Sequence, residues 1–296
     1  MKVLFPYLQL MRPANIITAL TNVISGFAAS SYILNNGNFS NYPSLVYLLV
    51  ATTGLYGGGI VFNDFFDSDI DTIERPNRPI PSGSVTKIQA AKLGSFLFIT
   101  GLLAALKISR TAFTISLIIC VLCFAYNRKT KHYPWLGGLT LAFCRGLNLL
   151  LGTTIMENSI HYLWALALIP FGLTIAITSV SQGEVAGNNK RVLKESISFY
   201  LLTLFTLLIL MYSYTNKIGL YTLFSGLFIF VNGFYIQNAL KSPTPINIQK
   251  VVKWGVLSFI ILDATILSSF SNFYYGIMLL CLLPITIILS KFFAVT

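Results

Sequence analysis

The amino-acid sequence predicts an all-α fold, a polytopic transmembrane helix bundle. Three observations carry that expectation. The chain is 55% hydrophobic and only 10% charged, with a mean hydropathy of +0.74, whereas soluble domains carry about 25% charged residues. Its apolar residues gather in runs of about twenty, the length that crosses a bilayer. Its basic residues are concentrated in alternate loops between those runs, as the positive-inside rule requires.

Taken in order, the first run covers Asn15 to Leu34 and is closed by NNGN. The second, Tyr42 to Phe62, leads straight into the polar stretch DFFDSDIDTIERPNRPIPSGSVT. The third and fourth span Ile88–Leu106 and Thr111–Tyr126, and the basic loop NRKTKHYP leads into the fifth, Trp135–Met156. The sixth, His161–Val180, ends in SQGEVAGNNKR. Four more follow, near Ser196–Tyr214, Ile218–Leu240, Val251–Phe270 and Tyr274–Phe293, making ten by hydropathy. The whole of 1–296 is expected to form one integral-membrane domain.

Lysine and arginine total 20. With alternating loops, fifteen of them fall on the side of the N-terminus and three on the other, leaving Arg145 within a run and Lys291 near the C-terminus. This bias sets the loop after the second run on the cytoplasmic side, or the stromal or matrix side of an organelle. The net charge of +11 is explained by topology and anionic headgroups, and no nucleic-acid-binding motif is visible. MKVLFPYLQLMRP lacks a small-residue cleavage site after a hydrophobic core, so no signal peptide is expected.

The chemistry concentrates where the second run ends, at NDFFDSDID, residues 63–71. Of nine acidic side chains, five (Asp64, Asp67, Asp69, Asp71, Glu74) lie within eleven positions. If the helix continues, Asp64, Asp67 and Asp71 stand at i, i+3, i+7 on one face, and Asp69 points away. Converging carboxylates repel unless a cation sits between them. Oxygen ligands on a helix face suit Mg²⁺, which shares itself with substrate phosphates. Arg75 and Arg78 follow at once, in a loop stiffened by Pro76, Pro79 and Pro81, and guanidinium groups match phosphate oxygens bidentately. Ordinary topological anchoring competes with that role, but two arginines behind four aspartates favour it. The loop with Tyr126, Asn127, Arg128, Lys129 and Lys131 lies on the same side and can close over the same anion; topology accounts for it equally well.

Cys120, Cys123, Cys144 and Cys281 all lie inside apolar runs. Cys120 and Cys123 make a C-x-x-C that reads as small packing residues rather than a redox or metal pair. His132 and His161 have no partner nearby in sequence, so zinc is not expected.

NDFFDSDIDTIERPNRPIPSG resembles the first aspartate-rich motif of the UbiA superfamily of membrane-embedded polyprenyltransferases, N-D-x-x-D-x-x-x-D followed by R-P-x-R-P. The opening Arg12, Pro13 and Asn15 and the basic loop after the fourth run are similar as well. The resemblance implies a bundle of nine transmembrane helices, one fewer than hydropathy counts, which leaves nine or ten open. It also implies Mg²⁺ ions bridging aspartates to the diphosphate of a prenyl donor. On this chain Asn63, Asp64, Asp67 and Asp71 become first-site metal ligands, and Arg75, Arg78 and Lys131 diphosphate contacts. An apolar tunnel would hold the isoprenoid, and the carbocation would alkylate an aromatic ring, a chlorin or a glycerol-type hydroxyl.

The sixth run echoes the second. Ser181, Glu184 and Asn188 repeat the i, i+3, i+7 spacing, as expected of two pseudo-repeated four-helix halves offering polar groups to one site; chance spacing is the alternative. The superfamily's second motif has three aspartates there. Here Glu184 alone is ionised, so a second Mg²⁺ would be held more weakly. The departure is similar to the EboC-like branch.

Within the runs, Arg145 with Asn148 at i+3 faces the bundle interior and reads as a pocket contact ahead of a structural ion pair. Asp263 reads as a buried partner for a base. Asn15 and Thr18 share a face that either lines the same cavity or packs helices.

The functional expectation is an Mg²⁺-dependent prenyltransferase acting on a prenyl diphosphate and a small lipophilic acceptor, aromatic or hydroxyl-bearing, within membrane lipid. Asp64, Asp67, Asp71 and Glu184 carry the metal chemistry. Asn15, Asn63, Arg75, Arg78, Tyr126, Lys131, Arg145, Asn148, Ser181 and Asn188 bind substrate. The alternative is a non-catalytic isoprenoid-binding or carrier protein on the same bundle.

Overall fold

The computed structural model describes residues 4–35, 42–181, 190–216 and 218–293. The described residues form helices α1 (Phe5–Met11), α2 (Pro13–Asn35), α3 (Tyr42–Glu74), α4 (Lys87–Leu106), α5 (Arg110–Arg128), α6 (Pro134–Thr153), α7 (Ser159–Leu163), α8 (Leu168–Ser181), α9 (Lys190–Thr215), α10 (Thr222–Lys241), α11 (Pro245–Phe270), α12 (Phe273–Leu280) and α13 (Leu282–Phe292). Short 3₁₀ turns at Thr130–His132 and Trp164–Ala167 join them, and no strand is present among the described residues.

Helix boundaries follow local chemistry. Arg12 sits at φ 48°, ψ 71°, its N–H closing α1 onto Leu8, and Pro13 then opens α2 at the position where a missing N–H costs nothing. A non-glycine residue in the left-handed region is strained, and this one turns its side chain toward the end of α3. Thr86 and Gln89 close a reciprocal capping box at the start of α4. Ser109 caps α5, and Thr244 caps α11 just before Pro245.

Helix α3 has 33 residues, about 50 Å at 1.5 Å per residue, against about 30 Å of hydrocarbon. The helix therefore continues beyond the apolar layer, and its last turns are the acidic motif.

Two large hydrophobic clusters divide the bundle, and a small one around Leu10, Val61 and Leu97 ties α1 to α3 and α4. One large cluster is built by α3, α4 and α5 around Leu48, Leu55, Phe62, Phe98 and Ile119. The other is built by α8 to α11 around Leu173, Leu207, Phe228, Phe259 and Ile261. Helices α2 and α6 feed both, through Val23, Phe27, Leu150 and Leu151 on one side and Ala28, Ala29 and Leu149 on the other. The two clusters thus meet along the α2–α6 contact, while α11, the most buried of the described spans, packs on α2 and α8.

Ten helical spans among the described residues are long and apolar enough to cross a membrane, the last being α12 and α13 taken together. The phenyl ring of Phe5 lies 5.6 Å from that of Phe293, and Phe292 borders a cavity shared with Arg12 and Asp64. The start of α1 and the end of α13 therefore lie at the motif end, which requires an even number of crossings between them among the described residues. This agrees with the ten runs counted by hydropathy rather than with nine.

The α2–α6 crossing brings backbones into contact. A Cβ on Gly26 would lie 2.1 Å from the Leu149 carbonyl oxygen, and one on Gly152 would lie 2.2 Å from that of Val23. Small residues at such crossings let membrane helices pack closely. Gly26→Ala and Gly152→Ala are each expected to cost about 1–3 kcal/mol or more by forced separation. Gly233→Ala on α10, where a Cβ would meet nothing within 4 Å, should leave stability unchanged or raised. Thermal unfolding in detergent checks all three.

Candidate functional site

The helix does continue through the acidic motif, so Asp64, Asp67 and Asp71 lie on one side of α3. Asp64 and Asp71 are each 3% exposed, Asp67 is half-buried, and Asp69 stands in solvent. The acids do not face one another bare. Arg12 Nη2 donates to Asp64 Oδ1 at 2.6 Å. Arg78 Nη1 bridges Asp64 Oδ1 at 3.2 Å and Asp71 Oδ2 at 2.7 Å. Lys131 Nζ pairs with Asp67 Oδ1, and Asn63 Nδ2 donates to Asp67 Oδ2 at 2.7 Å. Burial lowers the Arg12 pKa from its ordinary value, with Asp64 opposing the shift; a guanidinium stays charged throughout.

The loop chemistry explains how these bases arrive. Arg75 N–H caps the end of α3 on the Asp71 carbonyl at 2.9 Å, and Arg78 N–H closes a turn on the Arg75 carbonyl at 3.0 Å. With Pro76 and Pro79 fixing their φ angles, that turn folds the Arg78 guanidinium back onto the helix it has just left. Arg75 is exposed and borders a cavity of about 370 Å³ with Arg12, Asp64, Glu74 and Arg78. Lys131 comes from the 3₁₀ turn after α5, so the two basic loops do meet at the motif.

Below the mouth lies a second cavity of about 240 Å³, sharing Arg12. Its walls come from α2, α3, α5, α6, α8 and α11, and hence from both halves. They are largely apolar, with Leu55, Ile60, Ile119, Leu141, Ile177 and Phe259 among them. Asn15, Asn63 and Tyr126 border it near the mouth and Arg145 lies deeper. Along α3 it runs from Asn63 down to Leu55, about 12 Å at the helical rise.

The remaining expected residues divide. Asn148 borders the cavity, but its amide donates to the Ala19 carbonyl at 2.9 Å and Asn22 Oδ1 at 3.2 Å, and accepts from Thr52 at 3.1 Å. It ties α6 to α2 and α3. Ser181, at the end of α8, donates to the Thr178 carbonyl at 2.9 Å. Glu184 and Asn188 lie outside the described residues. The Asp263 carboxylate accepts from Thr21 at 2.7 Å, Asn22 at 3.2 Å and Ser25 at 3.3 Å, so three neutral donors, not a salt-bridged base, meet it.

Sequence reasoning gave Arg12 no place at the acids, although an Arg-Pro step at the mouth of the first run was a usable signal. Asn15 and Thr18 were read as sharing a face, and the continuation of that face through Asn22 and Ser25 was a usable signal not taken up. Nothing in the sequence paired Arg145 with Tyr56 and Phe259.

A metal ion fits the donor chemistry, which is carboxylate and amide oxygen with bases ready for an anion. Among the described residues no three His, Cys, Asp or Glu side chains are already grouped to hold one ion. Each of the three buried or half-buried acids carries a base instead, so an ion would enter by exchange as an anion takes the bases.

A family model described as the UbiA prenyltransferase family matches residues 22–260. The chain is 32% identical over 145 residues to a digeranylgeranylglyceryl phosphate synthase of Methanothrix thermoacetophila, covering 49% of this chain and 52% of the relative. It is 33% identical over 186 residues to the synthase of that name from Thermococcus gammatolerans, covering 62% and 65%. The match thus spans about half to two thirds of these curated relatives. In fold it is similar to a solved digeranylgeranylglyceryl phosphate synthase, with TM-score 0.68, 23% identity and 91% of this chain covered against 99% of that one. It is also similar to a UbiA homologue from Archaeoglobus fulgidus bound to GPP and Mg²⁺, with TM-score 0.64, 18% identity, and 88% and 99% covered.

The ion pairs differ in burial, and so in cost. Asp64→Asn should destabilise the protein by about 1–3 kcal/mol, since it leaves Arg12 with a weakened partner. Asp69→Asn breaks only a 3.3 Å pair with Lys87 in solvent and should fall within about 0.5 kcal/mol of the parent. Denaturation midpoints of the two variants, measured without added divalent ions, separate them.

Proposed function

The chain belongs to the UbiA prenyltransferase family, and from that premise we propose that it transfers a prenyl group from a prenyl diphosphate to a small lipophilic acceptor, with Mg²⁺ as cofactor. One observation carries this reading. Three carboxylates, three guanidinium groups and Lys131 gather at the mouth of an apolar cavity, at the end of the longest helix. The likeness to synthases acting in glyceryl phosphate chemistry supports a hydroxyl-bearing acceptor, and the charge bias of the loops supports a cytoplasmic-side mouth.

Each residue has a task in this proposal. Asp64, Asp67 and Asp71, with Asn63, supply the ligands of the first metal position. Glu184, with Ser181 and Asn188, serves a second and weaker one. Bound Mg²⁺ would neutralise charge on the diphosphate and so ease cleavage of the allylic C–O bond. Arg75, Arg78 and Lys131 bind the diphosphate oxygens, joined by Arg12, and stabilise the leaving group as negative charge develops on it. Asn15 and Tyr126 border the point where the chain enters the cavity. The apolar walls hold the isoprenoid and exclude water, which would otherwise capture the cation.

Arg12, Arg78 and Lys131 pair with the acids, and the same bases can turn to phosphate and leave the carboxylates to metal. Diphosphate and Mg²⁺ should therefore bind with mutual reinforcement, as linkage demands.

Titration of geranyl thiodiphosphate into the full chain in nanodiscs tests this. Affinity should rise at least about tenfold with Mg²⁺ and return to the metal-free level in Asp67→Ala, the loss expected for a charge-assisted contact. Metal-independent binding, or unaltered binding in Asp67→Ala, sinks the proposal. Product formation is a separate readout: tight binding without turnover would favour the carrier reading, and Glu184→Ala should then leave cellular function intact.

A further inference from the structure

Helices α9 and α10 follow one another in the chain yet barely meet. Helix α9 packs on α8, and α10 packs on α11, where the Tyr235 ring stacks on that of Trp254 at 4.9 Å. The groove left between α9 and α10 has a volume of about 210 Å³ and shares no lining residue with the cavities at and below the motif. Its floor is aromatic, with the buried rings of Tyr200 and Phe228 6.2 Å apart. The Asn232 amide beside them donates to the Phe228 carbonyl at 3.0 Å, which ties it back into α10. Gly233 leaves the wall open, since a Cβ there would meet nothing within 4 Å.

Length and charge say what fills this groove. Along α10 it runs from Phe228 to Leu240, about 18 Å at the helical rise. That is close to the depth of one leaflet, half of about 30 Å of hydrocarbon. Lys241 continues the α10 face in the series Ile229, Gly233, Gln237, Lys241, four residues apart, and Lys194 stands three residues before Ile197 on the α9 face. Successive spans alternate in direction, so the start of α9 and the end of α10 both lie on the motif side. Both lysines are exposed there. Glu195, the only acid on α9 and α10, is held by Arg191 at 2.8 Å. Neither Lys194 nor Lys241 makes an ion pair among the described residues. A slot one leaflet deep, apolar along its length and basic at its rim, complements an apolar chain with an anionic head.

We propose that the α9–α10 groove binds one anionic glycerophospholipid of the motif-side leaflet. One acyl chain lies over Tyr200 and Phe228, and the headgroup phosphate accepts from Lys194 and Lys241. The lipid fills the gap that the two helices leave and, by linkage, stabilises the half of the bundle they belong to. The site is separate from prenyl transfer and stands whether or not that reading does.

The experiment places the full chain in phosphatidylcholine nanodiscs with a trace of a photoactivatable lipid. The probe carries a diazirine halfway along one acyl chain and either a phosphatidylglycerol or a phosphatidylcholine head. Labelled peptides should come from α9 and α10, around Leu201, Leu204 and Gly233. The phosphatidylglycerol probe should label them at least about fivefold more, the factor one lysine contributes at a membrane surface. Lys194→Gln combined with Lys241→Gln should remove that preference and leave phosphatidylcholine labelling as it was. Gly233→Phe, which fills the open space, should lower labelling by both probes. Equal labelling by the two heads in the parent, a preference that survives the double lysine change, or full labelling in Gly233→Phe overturns the proposal. So does loss of groove labelling in nanodiscs holding two chains rather than one, which would put a second copy of the protein there. The parent's own headgroup preference needs no variant, so poor folding of Gly233→Phe does not rescue the idea.

Discussion

A carboxylate held out of water needs a cation or a set of hydrogen-bond donors, and the end of α3 meets that requirement with cations. Asp64 and Asp71 are buried at the boundary where the apolar layer gives way, and their burial is sustainable because Arg12, Arg78 and Lys131 converge on this helix end from three separate parts of the chain. That convergence draws the N-terminal kink, the Pro-rich loop and the turn after α5 to one place. The α1–α2 break, with its left-handed Arg12, the tight Arg75–Arg78 turn and the docking of the α5 loop all serve this single electrostatic demand.

The cavity beneath depends on a different constraint. Helices α2 and α6 touch backbone to backbone at Gly26 and Gly152, and that close approach fixes the spacing of the two halves. Around it the polar side chains Thr21, Asn22, Ser25, Thr52, Asn148 and Asp263 bond to one another across four helices. Hydrogen bonds of this kind hold helices in register where lipid offers no alternative partner. The open volume is therefore walled by fixed elements, with charge at the mouth, apolar surface along the length and one guanidinium toward the depth. In the proposed function, the anionic head of a prenyl diphosphate would sit at the mouth and its isoprenoid tail along the apolar walls.

The sequence disclosed the motif because its chemistry is local. Asp64, Asp67 and Asp71 lie on one helix, and a spacing of i, i+3, i+7 has one geometric meaning once the helix continues. Arg78 was legible for the same reason, being one short loop away. Arg12 was not placed at the acids, because its pairing crosses 52 positions and depends on where α1 breaks. Asn148 illustrates the opposite case: it looks like a pocket group from its position beside Arg145, yet its polar atoms are spent on neighbouring helices. Asn15 and Thr18 were legible as one polar face of the first run, but not that Asp263, over two hundred positions away, would accept from Thr21, Asn22 and Ser25.

By itself the sequence determined the membrane-helical class, the ten runs, the loop charge bias and the residues of the acidic motif, because hydropathy and helical spacing act over one or two turns. Tertiary structure decided which cations neutralise which acids, and it brought the start of α1 and the end of α13 together at the motif, so that the described spans between them are even in number. It also decided that Arg145 sits between Tyr56 and Phe259. These are contacts between distant helices, set by packing and by the cost of unpaired charge in a medium without water, and no local pattern encodes them.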